Sequence, residues 1–123
     1  MRLSRMTKVF FAVLLTNAIA FAGNLAGLWN FQMTALDGST SSPTATLSQR
    51  GSTVSGEYSG KYGVSKITGT LDGRDIELET ETTKGKLLFH GALDADGEVF
   101  SGSFELSNGG GNFSAKRKSQ RRK

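Results

Sequence analysis

The 123-residue chain has no cysteine, one histidine, one tryptophan and a single long apolar run. Without cysteine there are no disulfide bonds, so the fold must rest on hydrogen-bonded backbone and apolar packing. With His90 as the single histidine, the many serines form no recognisable triad of nucleophile, base and orienting acid. We therefore expect no enzyme activity and no catalytic residues. No stretch after residue 22 repeats its apolar residues at helical spacing, so no helix is predicted there.

The single apolar run lies at the N-terminus. Three basic residues precede Val9 to Ala20, and Ala20-Phe21-Ala22 has the small residues that signal peptidase accepts. We predict a secretory signal over residues 1–22, cleaved after Ala22, and an exported protein that is periplasmic or secreted. The run is shorter than the roughly 20 residues that cross a bilayer, and no second run follows, so no transmembrane segment is expected in the mature chain. A retained membrane anchor is the less favoured alternative.

The net charge of +4 combines regions of opposite sign. Residues 23–115 carry six basic and eleven acidic side chains, whereas Lys116 to Lys123 carries six basic side chains and no acid. We therefore predict one acidic domain over residues 23–117 and a disordered basic tail over residues 118–123. The run Lys116 to Lys123 is a candidate for binding an anionic surface such as lipid headgroups, cell-wall polymers or nucleic acid. A purely solubilising tail is the alternative.

A five-residue pattern with apolar ends and a central glycine recurs along the domain. It occurs as Val54-Gly56-Tyr58, Ile67-Gly69-Leu71, Phe89-Gly91-Leu93 and Phe100-Gly102-Phe104. Alternation at period two predicts strands with one apolar face, and turn residues such as Asp72-Gly73 separate them. The predicted strands are Leu28 to Thr34, Thr44 to Gln49, Thr53 to Ser59, Lys66 to Leu71, Asp75 to Glu81, Lys86 to Leu93, Val99 to Leu106 and Asn112 to Arg117. The fold class is all-β, an eight-stranded antiparallel up-and-down β-barrel built as a meander.

Alternation also assigns the faces of the barrel. The predicted interior is Trp29, Phe31, Met33, Ala45, Leu47, Val54, Tyr58, Ile67, Leu71, Ile76, Leu78, Leu87, Phe89, Phe100, Phe104, Leu106 and Phe113. The outer face is polar and includes His90, which argues against a barrel that sits in a membrane. The inward glycines at 56, 69, 91 and 102 have two interpretations, sharp coiling of a filled barrel or space for a ligand.

The first and last strands carry a resemblance to a known group. Gly27-Leu28-Trp29 on the first strand, with Lys116 or Arg117 on the last, resembles the calycin superfamily, which includes lipocalins, fatty-acid-binding proteins and avidins. In that group the basic residue packs across the indole at the closed end of the barrel. The resemblance spans roughly residues 25–117 and implies binding of a small molecule in the barrel, or of a protein at its rim.

The chain departs from two branches of that group. It has one tryptophan, at the structural position, so biotin binding as in avidins is not expected. Only Gly23 to Ala26 precede the barrel, and there is no disulfide, which weakens the similarity to bacterial metalloprotease inhibitors. We predict an apolar or amphipathic small-molecule ligand, with a non-catalytic interaction protein that uses the rim or the tail as the alternative.

Five interior or rim residues are the candidate ligand contacts. Met33, Tyr58, Phe89 and Phe104 would line the cavity, and Tyr62 would stand at its mouth. The loop Ala35 to Pro43 occupies the position at which lipocalins have a lid.

No metal site or cofactor is predicted. Asp94-Ala-Asp96-Gly97-Glu98 resembles the start of a calcium loop, but the sixth position is Val99 where such a loop requires glycine. A hairpin turn explains the segment better. The sequence carries no signal for an oligomeric state.

Overall fold

A computed structural model describes residues 24–107 and 109–118. The predicted signal over residues 1–22 lies outside the described residues, and so do residues 119–123 of the predicted tail. Period-two alternation produces strands throughout, joined by short turns. The strands are β1 Gly27–Ala35, β2 Thr40–Ser41, β3 Thr44–Arg50, β4 Thr53–Gly60, β5 Gly63–Asp72, β6 Asp75–Thr82, β7 Gly85–Leu93, β8 Val99–Leu106 and β9 Gly109–Arg117. Within the described ranges, no helix is long and apolar enough to cross a membrane.

The sheet closes on itself. Strands β3 to β9 pair antiparallel in sequence order, and β1 pairs with β3 on one side and with β9 on the other, from Trp29↔Arg117 to Ala35↔Gly111. Closure leaves no long unpaired edge, which stabilises a small sheet protein that has no disulfide bonds. The predicted eight-stranded antiparallel barrel is confirmed.

One short strand was not predicted. β2 lies within the loop that follows β1, and its two residues pair with Met33 and Thr34. This pairing is needed because β3 covers β1 only from Gly27 to Asn30, so the second half of β1 would otherwise present an unpaired edge. Part of the loop from Ala35 to Pro43 is therefore fixed to the barrel wall.

Two strands begin three residues earlier than predicted, at glycine. β5 starts at Gly63, which pairs with Gly60 across a two-residue turn, and β9 starts at Gly109. Glycine has no side chain to continue an alternating pattern, so the sequence pattern ends before the strand does. At Gly111 the absence of a side chain is required, because a Cβ there would overlap the carbonyl oxygen of Thr34 on β1.

The four inward glycines serve curvature. A Cβ at Gly56 would overlap the carbonyl oxygen of Thr46, and one at Gly69 would overlap that of Glu77. Gly91 and Gly102 are directly opposite each other on β7 and β8, and a Cβ at either would also overlap a carbonyl oxygen of the neighbouring strand. Backbone of the adjacent strand therefore occupies the volume that these glycines leave, which supports sharp coiling and not ligand space.

The interior is apolar and largely as alternation predicted. All predicted interior residues are buried except Leu106, which is half-buried against the core. Leu25, Leu93 and Ala115 are also buried, together with Thr80, whose hydroxyl donates to the carbonyl of Lys66 at 2.6 Å. Hydrogen bonding compensates the burial of that hydroxyl.

Five aromatic rings pack together from the end of the barrel that holds Trp29 to its middle, namely those of Trp29, Phe31, Phe89, Phe100 and Phe113. The ring centroids of Trp29 and Phe100 are 4.7 Å apart. Phe89 lies 5.2 Å from Phe31 and 5.0 Å from Phe113, measured between ring centroids. Such tilted and edge-on pairs stabilise a core beyond their buried area. This part of the barrel is solid.

Candidate ligand cavity at the open end of the barrel

The two ends of the barrel are built from different connections. At the end that we call the closed end, residues 24–26, the turns at 51–52, 73–74 and 94–98, and the end of β9 meet. At the opposite end, which we call the open end, the loop 36–43 and the turns at 61–62 and 83–84 meet the start of β9. β1 runs from the closed end to the open end, so its residues mark depth along the barrel.

Trp29 and Arg117 seal the closed end. Trp29 is fully buried, and its Nε1 donates to the carbonyl oxygen of Leu25 at 2.9 Å. The guanidinium of Arg117 lies 4.5 Å from the centroid of the Trp29 ring, a cation–π distance. Lys116, the other candidate for this position, is exposed on the outer face. Arg117 is therefore the cation that covers the indole.

The same guanidinium binds the segment before β1 and the β7–β8 turn across the barrel end. Nη1 of Arg117 donates to the carbonyl of Ala26 at 2.6 Å, and Nη2 donates to those of Asn24 at 2.7 Å and Gly97 at 3.0 Å. Gly27 adopts a φ of +123°, and a Cβ there would lie 3.3 Å from Nη1. The glycine of the Gly-x-Trp pattern thus allows the chain to turn beside the guanidinium.

A cavity of about 380 Å³ opens at the other end. Its volume lies in the lower part of the range of small-molecule sites. The lining residues come from β1, β2, β4, β7, β8, β9 and the connections of the open end. They are Met33, Ala35, Leu36, Asp37, Ser39, Thr40, Ser41, Pro43, Tyr58, Lys61, Tyr62, Leu87, Phe104, Leu106, Gly109 and Gly110.

Four of the five predicted contact residues lie together in this cavity. Met33, Tyr58 and Phe104 form part of its wall, and Tyr62 stands in the β4–β5 turn at the mouth. Phe89 does not line it, because this side chain is 1% exposed and packed in the aromatic core. Alternation gives the face of Phe89 correctly but not its depth along the barrel.

Several lining residues were not singled out from the sequence. Leu87 and Leu106 belong to the predicted interior, and their places at the open ends of β7 and β8 are the signal that distinguishes them. Leu36 and Pro43 lie in the predicted lid loop, where an apolar residue among small polar ones was the available signal. The wall is therefore apolar, and the polar groups concentrate at the mouth.

Tyr58 places a hydroxyl in this cavity. The side chain is 4% exposed, and among the described residues its only hydrogen-bond partner is the Sδ of Met33, at 3.9 Å. Sulfur is a weak acceptor. Burial raises the pKa of Tyr58 to about 12, with a smaller contribution from nearby Tyr62. Tyr58 is therefore a neutral hydrogen-bond donor at neutral pH.

Two lysines lie near the Tyr62 ring, and of these Lys61 lines the cavity. The Nζ of Lys61 lies 5.3 Å from the centroid of the Tyr62 ring, and the Nζ of Lys84 lies 5.9 Å from it. Asp37 also lines the mouth, where its Oδ1 accepts from the hydroxyl of Ser39 at 2.7 Å and the amide of Ser39 at 2.9 Å. These hydrogen bonds, with a small contribution from Lys61, lower the pKa of Asp37.

A second concavity lies on the outer face of β5 to β8. Strand register places Glu77, His90 and Ser103 directly beside one another in this groove, an arrangement that sequence spacing did not reveal. Among the described residues, no hydrogen bond joins His90 to either neighbour, and the strands around them pair through their backbones. The arrangement offers neither an activated nucleophile nor a pair of backbone amides aimed at an oxyanion.

The acidic segment after β7 forms a turn. Oδ1 of Asp94 accepts from the backbone amides of Glu98 at 3.0 Å and Val99 at 3.3 Å. Within residues 24–107 and 109–118, no group of three or more histidine, aspartate or glutamate side chains is arranged to hold a metal ion. The hydrogen bonds of Asp94 stabilise the hairpin connection between β7 and β8.

Comparison with known proteins gives matches only among solved structures. No family model matches the chain. No curated protein matches it either. A redesigned β barrel superposes with a TM-score of 0.62 at 19% identity, covering 78% of this chain and 92% of that one.

Two further structures are similar to the same extent. A redesigned β barrel bound to DFHBI gives a TM-score of 0.61 at 17% identity, covering 76% of this chain and 94% of that one. A de novo designed fluorescence-activating β barrel gives 0.59 at 18%, covering 79% and 96%. At these identities the similarity concerns the fold, and the chain is an eight-stranded antiparallel β-barrel of that kind.

Proposed function

We propose that the protein binds a small apolar or amphipathic molecule in the cavity at the open end. The observation that carries this proposal is the cavity itself, about 380 Å³ above an otherwise solid aromatic core. Its wall is apolar and its mouth polar, as in many small-molecule sites. The groove on the outer face of β5 to β8 has the same volume, so the position inside the barrel and the apolar wall distinguish this cavity.

Two similarities support a binding role. A barrel of the same fold was solved with DFHBI bound, so this architecture accommodates a small ligand. The Gly27, Trp29 and Arg117 arrangement at the closed end is that expected from the calycin resemblance, and calycins bind small molecules within the barrel. We propose on these grounds that the protein is a ligand-binding protein and not an enzyme.

Export is part of the proposal and rests on the pattern of residues 1–22. The contacts of the fold are compatible with cleavage after Ala22. Among the described residues, the first buried one is Leu25, whose amide donates to Oε1 of Gln49 at 2.7 Å, and Arg117 donates to the carbonyl of Asn24. A mature chain that begins at Gly23 keeps every one of these contacts.

An interaction protein is the alternative, and one observation favours it. Leu36 is 85% exposed and Val64 is 64% exposed, and both belong to the open end. An exposed apolar rim is a feature of protein contact surfaces.

The basic tail is a second candidate contact region. We propose that it binds anionic surfaces from Lys118 onward, because Arg117 is occupied at the closed end. Retention on an anionic surface that falls with added salt tests the role of the tail.

Native mass spectrometry of the exported protein, residues 23–123, tests the binding role. We expect additional mass that disappears on acid denaturation, or uptake of a lipophilic fluorescent probe by the emptied barrel. The variant Ala35→Phe introduces a ring into the cavity wall and should abolish both signals. Ala92→Phe, which adds the same ring to the exposed outer face, is the matched control.

The experiment separates the two roles. A bare protein that takes up no probe contradicts the binding role and favours the interaction protein. Equal binding by both phenylalanine variants would place any ligand outside the cavity and contradict the site.

A further inference from the structure

The groove on the outer face of β5 to β8 is acidic. Glu77, Glu79 and Glu105 line it, and no lysine or arginine of the described chain does. With the described residues, the carboxylates of Glu77 and Glu105 form no ion pair or hydrogen bond. Glu79 approaches only the half-exposed Lys86, with 3.9 Å between Oε2 and Nζ. The barrel itself therefore compensates little of the negative charge in this groove.

An apolar side chain lies among these carboxylates. Leu88 is 38% exposed on the outer face of β7, and the register places it directly between Glu79 on β6 and Glu105 on β8. Long basic side chains bury an apolar stem while their charged head stays in water. A basic segment in this groove would place stems over the leucine and heads at the flanking carboxylates. The groove thus fits a basic peptide.

The chain itself carries a segment of this kind. Residues 119–123, Ser-Gln-Arg-Arg-Lys, follow the last described residue, and three of the five are basic. Residues 23–115 have a net charge of −5 and residues 116–123 one of +6, so the exported chain carries about +1. A net charge this close to zero does not oppose the association of copies. Charge complementarity within one sequence points to the tail as the occupant of the groove.

Strand register shows that the tail cannot lie in the groove of its own barrel. The amide of Lys118 donates to the carbonyl of Leu28, so the tail leaves the barrel beside the start of β1. The nearest groove residue, Ser103, is level with Thr34 of β1 through Asn112 of β9. That level is about 20 Å along β1 from Leu28, and β8 lies about 10 Å to the side of β1. Five residues span at most about 18 Å, so the groove that the tail fills belongs to another copy.

We propose that residues 119–123 of one copy bind in the acidic groove of a second copy, with their basic side chains at Glu77, Glu79 and Glu105. This inference rests on the proposed role of the tail and names one anionic surface that the tail binds. The contact is heterologous, because two different surfaces meet, so each pair still offers a groove and a tail to further copies. Ion pairs at an exposed face are weak and screened by salt, so the association forms at low ionic strength.

Sedimentation velocity of the exported protein, residues 23–123, tests the association. At about 0.02 M salt we expect the weight-average sedimentation coefficient to rise with protein concentration, and at about 0.5 M salt we expect the value of a monomer throughout. The tail variant combines Arg121→Gln, Arg122→Gln and Lys123→Gln, and it should remain monomeric at low salt.

Two sets of carboxylate variants locate the contact. The groove variant combines Glu77→Gln, Glu79→Gln and Glu105→Gln, and it should also remain monomeric at low salt. The matched control combines Glu57→Gln, Asp72→Asn and Asp96→Asn, which removes the same charge from exposed positions outside the groove and should associate as the native protein does. The substituted carboxylates are all exposed and their amides have nearly the same shape, so both variants are expected to fold.

Mixing the variants tests whether the contact joins two copies. The tail variant retains the groove and the groove variant retains the tail, so an equimolar mixture can form one complementary contact and no more. We expect a one-to-one pair in the mixture at low salt and no larger species. A mixture that stays monomeric contradicts a contact between copies.

The remaining outcomes separate this inference from the proposed role of the tail. A native protein that stays monomeric at low salt overturns the inference, as does association that persists in the groove variant or is lost equally in the control. Salt-sensitive retention on an anionic resin that requires the tail, together with any of these results, leaves the proposed role of the tail in place. A native protein that neither associates nor is retained overturns both.

Discussion

The two ends of the barrel differ in the hydrogen-bond partner of a buried polar group on an aromatic side chain. At the closed end, the indole N–H of Trp29 donates to a carbonyl oxygen at 2.9 Å. At the open end, the hydroxyl of Tyr58 faces a sulfur atom at 3.9 Å. The Trp29 N–H has an oxygen acceptor within the chain, whereas the Tyr58 hydroxyl has only a sulfur atom among the described residues. The buried polar group at the closed end is therefore fully satisfied, whereas the one at the open end has only a weak acceptor among the described residues.

The cations of the two ends differ in the same way. Arg117 lies over Trp29, donates to three backbone carbonyls and approaches Glu98, with 3.8 Å between Nε and Oε2. Lys61 and Lys84 lie near the Tyr62 ring, and Lys61 also contributes to the lowered pKa of Asp37. A planar guanidinium suits several hydrogen bonds of fixed geometry, whereas an ammonium group on a flexible stem suits a partner whose position changes. Arg117 is thus held by hydrogen bonds within the chain, whereas the described contacts of the two lysines are with the Tyr62 ring.

The largest expected effect is loss of the closed-end indole. Trp29→Ala should lower the free energy of unfolding by about 3–5 kcal/mol, because it empties a fully buried site and removes the ring beneath Arg117. Denaturant unfolding followed by circular dichroism measures this, since the variant has no tryptophan. Tyr58→Phe at the open end is the comparison and should change stability by less than about 1 kcal/mol. Similar losses for the two variants would contradict the division between the ends.

The next effect concerns the guanidinium. Arg117→Met retains an apolar stem over the indole and removes three hydrogen bonds, so we expect a loss of about 2 kcal/mol. Lys116→Met, one residue away on the outer face, should lie within about 0.5 kcal/mol of the native protein. Thermal and denaturant unfolding of both variants give the comparison. Equal effects would show that Arg117 acts only as a surface charge.

The local sequence pattern was sufficient to predict the fold, because the strands of the barrel follow the same alternation of residues. Each predicted strand alternates, and glycine-containing turns separate it from the next, so pairing in sequence order follows. The pattern fails where side chains carry no signal. Gly109 to Gly111 pair with β8 and β1 although they have no side chains to alternate. Leu25 is buried before the first strand, and Gly27 interrupts the apolar alternation between Leu25 and Trp29.

The candidate site was only partly predictable. Alternation shows which face of a strand a residue occupies, but it does not show how deep in the barrel the residue lies. Phe89 and Leu87 share the inner face of β7, yet Phe89 is packed in the core and Leu87 lines the cavity. Cross-strand register decides such questions, and register also aligns Glu77 with His90 and Ser103. The positions of the Lys61 and Lys84 ammonium groups depend on two turns that are distant in sequence, which composition alone does not bring together.

Stability also depends on pH through a group at the open end. The pKa of Tyr58 is raised to about 12 from a usual value of 10.0, chiefly by burial. The unfolded chain releases this proton near pH 10 and the folded chain only near pH 12, so the contribution to stability is complete below pH 10 and is lost between pH 10 and 12. Tyr62→Phe leaves Tyr58 as the single tyrosine, and its native phenolate absorbance should rise well above pH 10 but near pH 10 in denaturant. Tyr58→Phe should flatten the fall of stability in that interval. Ionisation of Tyr58 near pH 10 in the folded protein would mean that its hydroxyl is hydrated, and the open end would then lack a poorly satisfied donor.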